Sequence, residues 1–167
     1  PNEGQTYNTL AYDFESTDLF PEIGATAKQF GYFTREDIDY YYVPTPTSQL
    51  TFRTVMEQGQ IAEGLFAFNL SPQFSSSFAF KGTRSLGKYR HSLSDRGNFT
   101  YTLAYNTKDR RYYFRGHIEA QSHKNDENGG LPPESIENFE SGSGNFQDRG
   151  RMEVNFEDAT SKLRGNR

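Results

Sequence analysis

An all-β fold built from antiparallel, up-and-down strands is what three features of this 167-residue sequence predict. Apolar and polar residues alternate over stretches of about eight to ten residues, the period of a strand with one apolar and one polar face. The apolar positions are mostly aromatic: there are 11 Tyr and 15 Phe in a chain that is only 33% hydrophobic. No segment carries a comparable helical period.

The elements follow in chain order. Residues 1–36 are read as an N-terminal segment in which Ile23–Phe30 is a weak candidate for a first strand. Residues 37–167 are read as one continuous domain with strands at 37–43, 48–57, 61–70, 74–82, 97–106, 110–121 and 150–158, about seven in all. Their apolar faces carry Phe52, Phe66, Phe78, Phe80, Phe99, Tyr101, Leu103, Tyr105, Tyr112, Phe114, Ile118, Val154 and Phe156. Their polar faces carry Asp39, Arg53, Glu63, Lys81, Arg111, Arg115, His117, Glu119, Arg151 and Glu153.

Hairpin register must keep like faces together, because a slip of one residue inverts every side chain. A turn at Ser71-Pro72-Gln73 sets Phe66 opposite Phe78, Gly64 opposite Phe80 and Glu63 opposite Lys81. A turn tip at Lys108-Asp109 sets Tyr105 opposite Tyr112, Leu103 opposite Phe114 and Thr100 opposite His117. A turn centred on Gly59 places Phe52 by Phe66. One centred on Pro46 places Tyr40 by Phe52 and Asp39 by Arg53.

Strand and loop lengths point to an architecture. Strands of about 9–11 residues are long enough, when tilted, to cross a bilayer. Short turns at one end alternate with connections at the other, of which 83–96 and 122–149 are long and polar. That asymmetry is the topology of a transmembrane β-barrel, so the chain is expected to be an incomplete segment of one. In that arrangement the aromatic face meets lipid, the polar face lines the lumen, and Tyr105 and Tyr112 join an aromatic girdle. A soluble adhesin-like β-sandwich is the alternative, with the aromatic face as its core. The polar faces carry Arg53, Lys81, Arg111, Arg115 and Arg151 against Glu57, Glu63, Glu119, Glu153 and Glu157, a balance that suits either a solvated surface or a water-filled lumen.

Composition excludes several classes. Without cysteine there is no disulfide framework, thiolate site or cysteine nucleophile. No apolar run reaches the length of a transmembrane helix. A net charge of −4 argues against nucleic acid as the main partner. The three histidines, His91, His117 and His123, stand beside no Gly-x-Ser-x-Gly elbow and have no zinc-ligand spacing. An enzyme is therefore not expected, nor a cofactor. Asn125 to Gly129 is rich in oxygen ligands but departs from the twelve-residue calcium loop, and reads as an exposed loop. The connection 83–96 is basic through Arg84, Lys88, Arg90 and Arg96, whereas 122–149 is acidic. Such loops are simply solvated or pair with each other, or else the basic one meets lipopolysaccharide phosphates or steers anions. The row Arg111, Arg115 and Arg151 is the candidate for solute selectivity.

Several words of the sequence also resemble a known family. Gly4-Gln5-Thr6-Tyr7-Asn8-Thr9-Leu10 followed by Phe20-Pro21-Glu22 is similar to the N-terminal part of the putative porin family of Bacteroidota. So are Val55-Met56-Glu57-Gln58-Gly59-Gln60, Lys81 to Tyr89, and Asn125 to Gly130. The resemblance implies an outer-membrane β-barrel in a bacterial cell, whose lumen, lined by the polar faces above, is expected to pass small hydrophilic solutes. Its partners would be outer-membrane lipids, lipopolysaccharide and other outer-membrane subunits. A non-conducting barrel within a larger assembly is the second reading. Family members are longer, so the chain is expected to be an N-terminal portion, an expectation that the ending Leu163-Arg164-Gly165-Asn166-Arg167 supports by lacking a terminal aromatic.

Overall fold

The structure, a computed structural model, describes residues 2–6, 31–56, 58–142 and 148–167. The candidate first strand Ile23–Phe30 lies outside the described residues, as do most of the N-terminal family words. The described strands are β1 (Thr47–Val55), β2 (Gly59–Ser71), β3 (Phe74–Ser85), β4 (Ser94–Asn106), β5 (Tyr113–Asp126) and β6 (Thr160–Asn166). They form one antiparallel sheet in which each strand pairs with its neighbours in sequence. The fold is therefore all-β and up-and-down, and the sheet is not closed, as befits an incomplete barrel.

β2 and β3 pair as the sequence predicts: Phe66 faces Phe78, Gly64 faces Phe80, and Glu63 faces Lys81. Two other hairpins keep the expected faces but shift register. In β4–β5, Tyr105 faces Phe114 and His117 faces Thr102, two residues from the prediction. The cause is a wider turn closed by side chains. Arg110 takes a positive φ, Asp109 Oδ1 accepts from the Thr107 hydroxyl and the Arg111 N–H, and Thr107 Oγ1 accepts from the Tyr112 N–H. In β1–β2, Phe52 faces Ala62 and Phe66 faces Ser48, a shift of four. Here Gln58, not Gly59, takes the left-handed conformation. Gly59 serves close packing instead, because a Cβ there would stand 2.3 Å from Val55 Cγ2. Both shifts are even, so no face inverts.

Two predicted strands are absent. Residues 38–43 form no ladder; after a short 3-10 turn at Arg35–Asp37 the chain runs across the polar face of the sheet. Prolines 44 and 46, which lack the amide proton a ladder needs, end that segment. Residues 150–158 are likewise not a strand. Arg149–Arg151 is a 3-10 turn, and the chain after it docks on the connection that precedes it through Asn155 N–H to Gly130 O and Phe156 N–H to Asn128 O. Met152 and Val154 are buried there, so the alternation reflects one-sided burial without strand pairing. The last strand is Thr160–Asn166, whose polar sequence gives little alternation.

A helix was not expected, yet α1 spans Pro133–Glu140 within the last long connection. Its signal is local: a proline at the start and Glu134 in the first turn. Eight residues are too few for a helical period to stand out.

Burial along the sheet is inverted relative to a water-soluble protein. The buried residues of the strands are mostly polar and include Ser77, Ser85, Ser94, Asn98, Thr102, Glu119 and His123. Most of the large apolar side chains are exposed or half-buried, Ile118 by 60% and Phe52 by 67%, whereas Ile61 is buried. Across β2–β4 the rings of Phe66, Phe68, Phe78 and Tyr101 form a contiguous row, with successive centroids 5.3, 6.2 and 4.9 Å apart.

Candidate functional site

The polar face is the candidate site, and its covering explains its burial. Residues 31–43, here called the strap, lie on it. Near β5, Tyr32 packs its ring 5.9 Å from that of His123. Phe33 exchanges two bonds with Gln121: its N–H donates to Oε1 at 2.9 Å and its carbonyl accepts from Nε2 at 2.9 Å. Ile38 is buried beside Ser77, Ala79, Thr100 and Thr102, a patch of small side chains that leaves room for it. Tyr40 Oη lies 2.8 Å from His117 Nδ1, and the Arg115 guanidinium stands 5.4 Å from the Tyr40 ring centre. At the far end, Asn69 Nδ2 donates to the Val43 carbonyl at 2.6 Å.

Every one of these anchors is a side-chain contact, so the strap joins no strand ladder of the sheet. Its turn is closed locally, with Asp37 Oδ2 accepting from the Thr34 N–H at 2.6 Å and the Thr34 hydroxyl at 2.8 Å. Burial, followed by the negative Asp39 carboxylate, raises the Tyr41 phenol above its usual pKa, so it stays protonated at neutral pH.

Residues 2–6 hold a second place on the same molecule. Asn2 Nδ2 donates to the Ser92 carbonyl at 2.6 Å, and the Ser85 hydroxyl donates to Asn2 Oδ1 at 2.5 Å. Gly87, in the β3–β4 connection, has φ +80, and a Cβ there would lie 2.2 Å from Ser92 Oγ and 2.9 Å from Asn2 Nδ2. The connection is thus shaped around the N-terminal segment.

Hydrogen bonds satisfy much of the polar layer from within. Ser77 Oγ and Thr102 Oγ1 lie 2.5 Å apart across β3–β4, and Ser94 Oγ donates to Asn125 Oδ1 at 2.8 Å across β4–β5. Asn98 Nδ2 donates to Glu119 Oε1 at 3.0 Å, but Glu119 Oε2 is buried without a hydrogen-bond partner. An unpaired buried carboxylate oxygen is costly, since nothing replaces the water it has lost.

The sequence-predicted residues fall into distinct places. Glu63 and Lys81 form an ion pair of 2.9 Å between β2 and β3. Arg115, His117 and Glu119 alternate along β5 and share the face that the strap covers, while Phe114 and Ile118, of opposite parity, are exposed. Arg53 lies on β1 opposite Ile61, and Asp39 belongs to the strap. Arg111 is in the β4–β5 turn, 3.5 Å from Asp109, and Tyr112 follows it there, 74% exposed. Arg151 pairs with Asp148 at 3.5 Å, and Glu153 offers its carbonyl to Ser135; both lie in the last connection, away from any strand. Val154 and Phe156 belong to that connection too, whereas Phe52, Phe66, Phe78, Phe80, Phe99, Tyr101, Leu103 and Tyr105 lie on the strands.

The loops of opposite charge do meet in part. His91 Nδ1 approaches Asp126 at 3.9 Å, whereas Arg90 pairs at 3.1 Å with Glu157, which lies beyond the acidic connection. Asn128, from the oxygen-rich run, donates to the Arg90 carbonyl. Among the described residues no three acidic or histidine side chains are grouped as metal ligands would be, and no helix is long and apolar enough to cross a membrane.

Sequence reasoning missed Tyr40, Asn69, Asn98 and Gln121, which hold the strap or its floor. The available signal was the unalternating run Tyr40-Tyr41-Tyr42 before two prolines, a poor fit to a half-buried strand. In comparisons with known proteins, a family model described as Putative porin matches residues 1–167, the whole chain. No curated protein and no solved structure matches.

Proposed function

The chain belongs to the Putative porin family, and on that premise we propose that it forms part of a bacterial outer-membrane β-barrel through which small hydrophilic solutes pass passively. One observation carries the reading: the sheet buries its polar face and exposes its aromatic one. In water such a sheet would present a large apolar patch and bury hydrogen-bonding groups, both unfavourable. In a bilayer the same arrangement is favourable, because acyl chains meet the aromatics while paired strands satisfy the backbone. The words of sequence named above support a Bacteroidota source.

On this reading Phe52, Phe66, Phe78, Phe80, Phe99, Tyr101, Leu103, Phe114 and Ile118 face lipid, with Tyr105 and Tyr112 at headgroup depth. Glu63, Lys81, Arg115, His117 and Glu119 belong to the lumen wall, and the strap lies in the path. Lipids are the principal partners, with lipopolysaccharide at the basic loop. The proposal includes no catalytic step and no cofactor.

The strap also favours a second reading, a non-conducting barrel within a larger outer-membrane assembly. Planar-bilayer recording of the full-length protein separates the two. Discrete openings are expected, and their conductance should rise when Tyr40→Ala and Gln121→Ala together loosen the strap. Silence from both proteins would sink the passage reading and leave the second. Recovery of folded protein in water without detergent would overturn both.

A further inference from the structure

The two ends of the strap rest on different chemistry. Residues 40–43 are held by the Tyr40 and Val43 hydrogen bonds, whereas residues 31–34, tied by the Phe33–Gln121 exchange, lie over a buried histidine. His123 is 2% exposed, and among the described residues neither of its ring nitrogens has a hydrogen-bond partner. Arg96 stands opposite it on β4, and Leu163 stands opposite it on β6. Its same-face neighbours along β5 are Gln121 and Asn125, both uncharged, and the strap contributes the Tyr32 ring. The fit of strap to floor is close. A side chain at Gly31 would strike the Arg96 guanidinium, and one at Gly165 of β6 would strike Tyr32 Oη. The Glu3 and Glu63 carboxylates bear on Arg96, and Arg96 is the charge that bears on His123. The ring therefore sits neutral beside a guanidinium, and no described group is placed to accept from an imidazolium.

We propose that this end of the strap is a proton-operated latch: protonation of His123 sets an imidazolium against Arg96 beneath Tyr32 and releases residues 31–34, while residues 40–43 stay docked. The latch lies beyond the apolar band. On the outward faces the apolar run ends at Phe99 on β4 and Ala120 on β5, with the charged Asp95 and Lys124 further along. Protons of the aqueous medium therefore reach His123 once the strap lifts. Burial first, then the Arg96 charge, lowers its pKa to about 4 under the strap, against about 6.5 for a histidine in water. The closed strap thus holds fewer protons at this residue than the open one. Closure is fully favoured above about pH 6.5 and weakens as pH falls from there to about 4, on the order of a hundredfold over the interval. His117 keeps its bond in either state, because the Tyr40 hydroxyl can donate to a neutral Nδ1 or accept from a protonated one. The latch is independent of what the barrel passes. On the proposed function, it adds that acidity opens the path in which the strap lies.

The test is hydrogen exchange of the full-length protein in detergent micelles at about pH 7.5 and about pH 5, either side of the free histidine value, with rates corrected for the intrinsic effect of pH. Opening at residues 31–34 should rise about tenfold or more at the lower pH, while protection at 40–43 and in β2–β4 stays the same. His123→Gln, which takes up no proton, should abolish the rise. Arg96→Gln should reduce it, since burial alone then opposes the imidazolium. Both variants are judged by pH dependence, so a strap merely loosened by the substitution does not imitate the result. A rise that persists in His123→Gln would overturn the inference, as would no rise in the unsubstituted protein or equal acceleration at 31–34 and 40–43. Exchange in micelles does not require conduction. Acid-dependent opening in a protein that never conducts refutes passage alone, and conduction without such opening refutes the latch alone.

Discussion

The two faces of β5 differ more than any other adjoining surfaces of the molecule. His117, Glu119, Gln121 and His123 meet the strap or the polar layer, and Glu119 retains only 1% exposure. One residue away, Phe114 and Ile118 are 59% and 60% exposed. The same backbone therefore sorts side chains into two environments, one covered and one exposed. What decides the sorting is the period of two combined with a register that never slips by an odd number. A soluble domain uses that device to hide apolar groups; here it hides polar ones.

The largest effect should come from putting a charge on the exposed apolar face. Ile118→Arg is expected to destabilise the protein in phospholipid vesicles by about 2–4 kcal/mol if it sits near the bilayer midplane, and less nearer the interface. On a water-exposed surface the same change would cost less than about 0.5 kcal/mol. Urea titration of the vesicle-inserted protein distinguishes these. A neutral result would break the comparison between faces and return the chain to the soluble reading.

On the opposite face, Asn98→Leu should cost roughly 2 kcal/mol, because the buried Glu119 Oε1 and the Thr100 hydroxyl would each lose their bond to Asn98. Asn98→Leu combined with Glu119→Leu should recover much of that loss, since replacing both partners removes the unpaired charge. Both variants are compared by the same titration. No recovery in the double variant would mean that Glu119 contributes otherwise than as a buried charge. Weaker still, Tyr40→Phe removes one 2.8 Å bond to His117 and should loosen the strap by about 1 kcal/mol. Hydrogen exchange at residues 38–43 should rise while exchange in β2–β4 stays unchanged. Uniform acceleration would show that the strap and sheet open together.

The comparison of β2–β3 with the strap explains what could be read from the sequence. In β2–β3 a short turn and alternation on both strands act together, so the register follows directly, down to Glu63 opposite Lys81. Residues 150–158 also alternate, and 37–43 are read as a strand from the turn at Pro46, yet neither pairs. Alternation reports that one side of an extended chain is buried; it does not say whether the cover is a neighbouring strand or a perpendicular layer. The polar face was legible as a face, whereas its covering was not. That covering is held by individual side chains, Asn69, His117 and Gln121, that no repeating pattern links across the two strands. β6 was missed for the opposite reason: it pairs through its backbone, with Leu163 as its sole large apolar side chain.

The smallest expected effect concerns the turn that sets the β5 faces. Asp109 accepts from the Thr107 hydroxyl and the Arg111 N–H, contacts that favour its charged form and, in that order, lower its pKa below the ordinary carboxylate value. A carboxyl whose pKa is lower in the folded than in the unfolded chain stabilises the fold above its unfolded pKa. That contribution fades as pH falls through the folded one. The stability difference between the protein and Asp109→Asn should therefore be present at neutral pH and shrink on the acid side of the carboxylate range. The group is exposed, so solvent screening keeps the effect small. Register gives the sharper readout. Asn retains an acceptor oxygen, so cross-strand contacts between Tyr105 and Phe114 should persist in nuclear magnetic resonance spectra of Asp109→Asn. Asp109→Ala removes both hydrogen bonds, leaving the turn free to tighten by two residues and bring Tyr105 opposite Tyr112. Such a slip changes every partner of β5 without exchanging its faces. If Asp109→Ala keeps the native pairing, the faces and the flanking ladder fix the register without help from the turn.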